Sequence, residues 1–269
     1  SKTIARPQFR ELVSQLYLDT DSNRNFRGNP SLVDTKLTNV EGRYEWFFGR
    51  DQRLTLGAFY KKIDKPIEAF SSVNASDGSV NTSFANAPKA TLYGAELEAQ
   101  KTIALDNVLG GDFFATRRLL LVANYTYSKS KIKVKASDLA IINGVPQAAT
   151  NLFQDGQPLT GQSDHLVNLQ IGLEDIDKLS QFTFLLNYAS KRVTSRGPSG
   201  QPDIYEEPGI GLDFVARQGL TLFGVDSELK FTARNILTTK YQEYQQLGAN
   251  KIYYNRYDVG AQFSVSLGL

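Results

Sequence analysis

At 269 residues the chain is long enough for one large domain or two small ones, and a hydrophobic content of 41% fits either. No stretch approaches the roughly 18 consecutive apolar residues of a membrane-spanning helix. The net charge of +2, with basic residues dispersed, argues against nucleic acid as a partner, and the absence of cysteine removes disulfides, thiolate metal ligands and cysteine nucleophiles. Methionine is absent too, and a chain that begins at Ser1 is expected to be processed or to be a piece of something longer.

Residues 2–5 (KTIA) read as the end of a strand that runs into a long loop, 6–34. Strands over about 35–48 and 53–71 follow, joined by a tight turn near GRDQ, and a loop at 72–88 leads to a strand over 89–103. There Tyr93, Ala95, Leu97 and Ala99 alternate with Gly94, Glu96, Glu98 and Gln100, the two-residue period of a strand with one greasy and one wet face. Past ALDNVLGGDFFAT, residues 117–134 repeat the pattern, with Leu119, Leu121, Ala123, Tyr125 and Tyr127 set against Asn124, Thr126 and Ser128. A loop at 135–162 leads to strands over 163–175 and 181–195 around EDIDKLS, and a loop at 196–207 to strands over 208–217 and 225–236 around RQGLTLFG. After loop 237–253, the strand 254–269 sets Tyr257, Val259, Ala261, Phe263, Val265, Leu267 and Leu269 against Asp258, Gln262, Ser264 and Ser266.

Tight and long links therefore take turns along the chain, the habit of outer-membrane barrels with short periplasmic turns and long extracellular loops. Followed through, this places the C-terminus on the periplasmic side. The expected fold is all-β, made of antiparallel transmembrane β-barrel strands, about nine plus a partial tenth at residues 2–5. Either ten strands close on themselves or the chain is one flank of a larger barrel.

The details resemble a known family. SKTIARPQFREL, RGNPSLVDTKLTNVEGRYEWFFG, LTLGAFYKKIDKPIE, ATLYGAELEAQK and FTARNILTTKYQEYQ look like consecutive late-barrel segments of TonB-dependent outer-membrane receptors, in the right order over nearly the whole chain. The resemblance implies that residues 1–269 are the C-terminal portion of a barrel of about 22 strands plugged by an N-terminal domain. It also implies active uptake of a scarce nutrient driven through TonB, with no cofactor and no catalysis. In the family a terminal aromatic residue usually follows the last strand; Leu269 stands here instead, with lipid-facing parity.

Three groups of residues are candidate sites. Cations follow the aromatic residues on the outward parity: Lys62 after Tyr60, Lys89 before Tyr93, Lys129, Lys131, Lys133 and Lys135 after Tyr127, Arg192 and Arg196 after Tyr188. Such cations lie beyond the aromatic girdle, so Lys62, Lys89, Lys129, Lys131 and Arg192 are expected to form a belt facing lipopolysaccharide phosphates; solvated loop charges are the competing reading. The lumen face carries Arg43, Glu45, Glu96, Glu98, Asp226, Glu228, Lys230, Arg234, Arg256 and Asp258, whose mixed signs suit ion pairs that brace the wall or contacts to the plug. In the loops, Arg6, Arg10, Arg24, Arg27, Tyr241, Tyr244 and Lys251 are candidate contacts for a small substrate.

His165 is the sole histidine and stands next to Asp164, which invites comparison with a self-contained ten-strand barrel protease. Neighbours on a strand point to opposite faces, which works against that pair. A ten-strand porin and a soluble β-rich binding module such as a lectin would show the same alternation. No metal site is expected with one histidine and no cysteine. PGIGLDF leads into a strand rather than a helix, so it is not a phosphate cradle.

Overall fold

Alternating sequence makes each strand two-faced, and pairing such strands in register makes a sheet with one apolar and one polar side. A computed structural model describes residues 1–20, 24–73, 80–197 and 201–268. In chain order the strands begin with β1 (Lys2–Ala5), β2 (Leu16–Asp19), β3 (Arg24–Arg27), β4 (Thr35–Gly49), β5 (Gln52–Asp64), β6 (Ile67–Val73) and β7 (Val80–Asn86). Then come β8 (Lys89–Ala104), β9 (Arg117–Lys133), β10 (Leu139–Ile142), β11 (Val145–Ala148), β12 (His165–Asp175) and β13 (Ser180–Ala189). The last are β14 (Arg192–Ser195), β15 (Ile204–Glu206), β16 (Gly209–Leu222), β17 (Val225–Arg234), β18 (Lys240–Leu247), β19 (Asn250–Asp258) and β20 (Gln262–Gly268).

Ten of these form one antiparallel sheet in the order β1-β4-β5-β8-β9-β12-β13-β16-β17-β20. Its register carries each face unbroken from strand to strand. Glu45 lies opposite Thr55, Thr55 opposite Glu98, Glu98 opposite Asn124, Asn124 opposite Asn168 and Asn168 opposite Asn187, a polar row across six strands. The other face is apolar and uncovered: Trp46 is 53% exposed, Phe263 67% and Val265 69%. A continuous apolar wall of this size does not face water; it is the surface a barrel turns to lipid.

The short links, at residues 50–51, 105–116, 176–179 and 223–224, lie at one end of the sheet and the long connections at the other. Phe223 and Gly224 both take positive φ (51° and 84°), the geometry of a two-residue hairpin turn, so β16 runs to Leu222 rather than ending near 217.

Three expected strands are broken in the structure. The segment 53–71 divides after Asp64, where Lys65 takes φ 56° and Pro66 has no N–H to extend the ladder, and β6 turns away to pair with β7. The segment 181–195 divides after Ala189, β14 joining a different sheet. The expected last strand is two strands: β19 pairs with β18, the chain bends at Gly260 (φ 68°), and only β20 joins the wall. Tyr257, Arg256 and Asp258 therefore leave the wall, whereas Leu269 lies outside the described residues.

The segments expected as loops carry structure of their own. Two four-stranded sheets, β2-β3-β7-β6 and β14-β15-β18-β19, and the β10-β11 hairpin form a cap over the long-link end. Beneath it Ile63, Phe70, Ala85, Ala87, Ala90, Ile132, Ala140, Ala149 and Phe153 make a water-excluding core where β5, β8 and β9 meet the cap. Complete burial of Ile132 and Phe153 stabilises by about 1.5–3 kcal/mol each. The wall is a single layer, and this core is where the chain packs in the manner of a soluble protein.

Candidate functional site

The two cap sheets meet at Arg196. Its backbone N–H donates to Ala69 O (2.9 Å) and its carbonyl accepts from Ser71 N–H (2.8 Å). The side chain is 1% exposed, with Nη2 2.6 Å from Glu68 Oε2 and Nη1 3.0 Å from Asp203 Oδ2, and it also donates to Pro158 O. Glu68 further accepts the Thr160 N–H at 3.0 Å. Nearby, Arg24 Nη1 lies 2.7 Å from Glu243 Oε1, and its Nη2 donates to Ser71 Oγ and Ser195 Oγ, each at 3.2 Å. These two clusters tie together all five long connections of the chain. Buried ions need partners of this quality, because an unpaired one costs several kcal/mol.

Burial pushes the Glu68 carboxyl above the usual glutamate range, and Arg196 and the Thr160 N–H only partly oppose it. The buried Glu68 carboxyl therefore holds its proton more tightly folded than unfolded. The folded cap then binds more protons than the unfolded one between the ordinary glutamate value of 4.5 and the raised value. The stability that Glu68 contributes is fullest below that interval and falls as pH rises through it. Limited proteolysis of wild type and Glu68→Gln across this range isolates that contribution: the wild-type cap is expected to lose more resistance with rising pH than the variant, and equal pH dependence in the two would contradict the assignment.

Below the cap, the polar face of the wall is laced with ion pairs: Arg43 with Glu45 at 2.6 Å, Arg217 with Glu228 at 2.6 Å, Arg118 with Glu174 at 2.9 Å, and Arg53 with Glu98. Glu96 lines a concavity of about 510 Å³ on this face with Glu41, Arg43, Lys61, Thr126 and Gln162. Lys230 lies opposite Ser266 and Arg234 opposite Gln262, and Asp226 accepts from Thr221 Oγ1 at 3.2 Å. By register Arg43, Glu45, Glu96, Glu98, Asp226, Glu228, Lys230 and Arg234 share the polar face. Arg256 and Asp258 sit in the cap, Asp258 paired with Lys240 at 3.0 Å.

The family described as TonB dependent receptor-like, beta-barrel, matches residues 1–268. The chain belongs to this family. A wall apolar outside, polar inside and capped at its long-link end is the form such a barrel takes. Among solved structures, the outer membrane transporter YddB from Escherichia coli is similar in fold at 10% identity and a TM-score of 0.52. The likeness covers 91% of this chain and 34% of that one, so the chain spans about a third of the transporter's length. No curated protein sequence matches. The match is to a receptor barrel and the likeness to a transporter, and the chain is not an enzyme.

The geometry at His165 agrees with that assignment. Asp164 is turned to Lys129 Nζ at 2.7 Å, whereas His165 Nδ1 meets the Tyr125 hydroxyl at 2.8 Å. Each member of the pair that a protease would need is therefore committed to a different partner.

Of the loop residues expected to contact a substrate, Arg24 is corrected to a structural role: it is 8% exposed and committed to Glu243. Tyr244 is 2% exposed, hydrogen-bonded to Glu207, with Lys251 Nζ 3.8 Å from its ring centre. Arg6, Arg10 and Arg27 are exposed, and Tyr241 stacks on Tyr257 with ring centres 4.9 Å apart.

The outward cations are placed as follows. Lys129 lies opposite Tyr93, Lys131 opposite Thr91, and Thr91 opposite Lys62, while Lys89 faces Asp64 on one side and Lys133 on the other. Arg192 is carried by the cap, with Nε 2.8 Å from Glu206. Arg196, expected outward, is buried. Sequence reading passed over Glu68, Asp203 and Glu243; the available signal was an acid flanked by apolar residues, as in IEAF.

Proposed function

We propose that the chain is the C-terminal barrel wall of an outer-membrane receptor that actively imports a scarce nutrient such as an iron chelate, a vitamin or an oligosaccharide. Supporting this reading most strongly is the family match over residues 1–268, joined to a wall whose faces divide cleanly into lipid-side and lumen-side rows. In this reading a plug domain and further strands complete the barrel, and TonB supplies the energy through the plug side. The lumen pairs at Arg43, Glu45, Glu98 and Glu228 brace the wall against the plug, with Glu96, Asp226, Lys230 and Arg234 available to it. Arg6, Arg10, Arg27, Tyr241 and Lys251 stand at the mouth, where the solute is first met.

Deleting the gene in its own bacterium and offering iron chelates, corrinoids and oligosaccharides as limiting nutrients tests this. Growth on one class is expected to fail, to return with a plasmid copy, and to stay absent when TonB is also deleted. Uptake that persists at full rate without TonB would refute active import.

A further inference from the structure

A basic trough opens on the outer surface just above the aromatic band of the wall. Its near side is β9, where Lys129 and Lys131 project on the same parity as Tyr125 and Tyr127. The connection 156–164 runs alongside that strand: Ile132 N–H donates to Gln157 O at 2.7 Å, Gly156 N–H to Ile132 O at 2.9 Å, and Ser128 N–H to Asp164 O at 2.9 Å. On its far side Gly161 N–H donates to Val193 O at 2.7 Å, which brings Lys191 and Arg192 across from the two lysines. The result is a cavity of about 270 Å³ floored by Gly156 and Pro158 and lined by Lys129, Lys131, Lys191 and Arg192.

Four cations face one lining carboxylate, Asp164, which is held by Lys129. Arg192 is oriented by Glu206 at 2.8 Å, and Lys191 Nζ sits 4.5 Å from the centre of the Tyr205 ring. Lys131 has no hydrogen-bond or ion-pair partner among the described residues. Convergent cations of this kind, two already fixed in direction, suit an anion with several acceptor oxygens. Lys131 stands two residues beyond Lys129, whose cross-strand neighbours Tyr93 and Tyr60 belong to the aromatic band, a rise of about 7 Å. That height is where lipid head groups lie.

We propose that this trough binds the phosphate monoester of an outer-leaflet glycolipid, with the acyl chains lying down the wall over Tyr125, Val167 and Leu169. The site is separate from the lumen and does not depend on which solute the receptor imports. It sharpens the expected cation belt to one pocket, adds Lys191, and leaves Lys62 and Lys89 on the neighbouring strands as outlying charges.

The test uses the protein at its natural full length, purified in a non-ionic detergent, with native mass spectrometry reading bound lipid. The probes are lipid A with its phosphates, the same lipid enzymatically dephosphorylated, and glucose 1-phosphate. Wild type is expected to retain phosphorylated lipid A about tenfold or more over the dephosphorylated form, and K131E/K191E to lose that preference. Heat-modifiable gel mobility reports assembly, and Lys131→Gln, expected to weaken binding less, serves if the double variant does not assemble. Equal binding of the dephosphorylated lipid, or unchanged binding in an assembled K131E/K191E, overturns the proposal. Displacement of lipid A by an equal concentration of glucose 1-phosphate would make the trough a soluble-phosphate site and overturn it equally.

Discussion

Replacing Arg196 by methionine is expected to loosen the cap while leaving the ten-stranded wall assembled. The guanidinium is 1% exposed and lies between Glu68 and Asp203, themselves 2% and 8% exposed. Methionine keeps much of the volume and removes the charge, so Asp203 and, above its raised pKa, Glu68 remain buried without a cation. Breaking a buried pair from one side in this way costs about 3–5 kcal/mol. The backbone bridge from Arg196 to Ala69 and Ser71 does not involve the side chain and should persist. Faster proteolysis within residues 67–73 and 201–207, with unchanged heat-modifiable mobility, is the expected result. Adding Glu68→Gln and Asp203→Asn removes the stranded charges and is expected to recover most of the loss. A triple variant as fragile as the single one would place the cost in packing instead.

The wall was legible from sequence because its physics is one-dimensional. A strand between lipid and lumen writes its two faces into alternate residues, and tight turns such as 50–51 and 176–179 punctuate it. Even the four-residue β1 was readable, as the end of a strand that runs into the long connection 6–34. The cap was not legible for the opposite reason. In β6 the buried residues Glu68, Phe70 and Ser71 include both parities: Glu68 and Phe70 share a face that meets both the Arg196 cluster and the hydrophobic core, and Ser71 on the other face meets Arg24. A strand buried on both sides loses the period that marks it. Alternation also carried too far: Tyr257 and Val259 keep phase with Phe263, yet Gly260 bends the chain between them and the register belongs to two sheets. Charges were misread where distance in sequence hid a partner, as with Arg24 and Glu243 or Arg196 and Glu68.

Replacing Gly94 by valine is expected to prevent the wall from assembling. Gly94 lies on the polar face opposite Phe59, and Phe59 lies over the space a side chain at 94 would fill. A Cβ built there falls 2.7 Å from Phe59 Cζ and 3.0 Å from Ser128 Cα, and it collides with the Tyr127 carbonyl oxygen. The ring could rotate away, but the carbonyl belongs to the β8–β9 ladder and cannot move without breaking it. Overpacking of this kind costs about 1–3 kcal/mol or more, and valine adds two methyl groups to the clash. The glycine of the YGAELE segment thus marks a close approach of chain and ring, which is why the alternation shows a gap there. Its neighbours give the control. At Gly42 an added Cβ meets nothing within 4 Å, and at Gly57 it meets Glu96 Cβ at an ordinary 3.6 Å, so Gly42→Ala and Gly57→Ala should assemble normally. Because the carbonyl remains, Phe59→Ala combined with Gly94→Ala should recover little. The folded, heat-modifiable fraction in outer membranes measures all four variants, and wild-type assembly of Gly94→Val would show that β9 can move away from β8 at Tyr127.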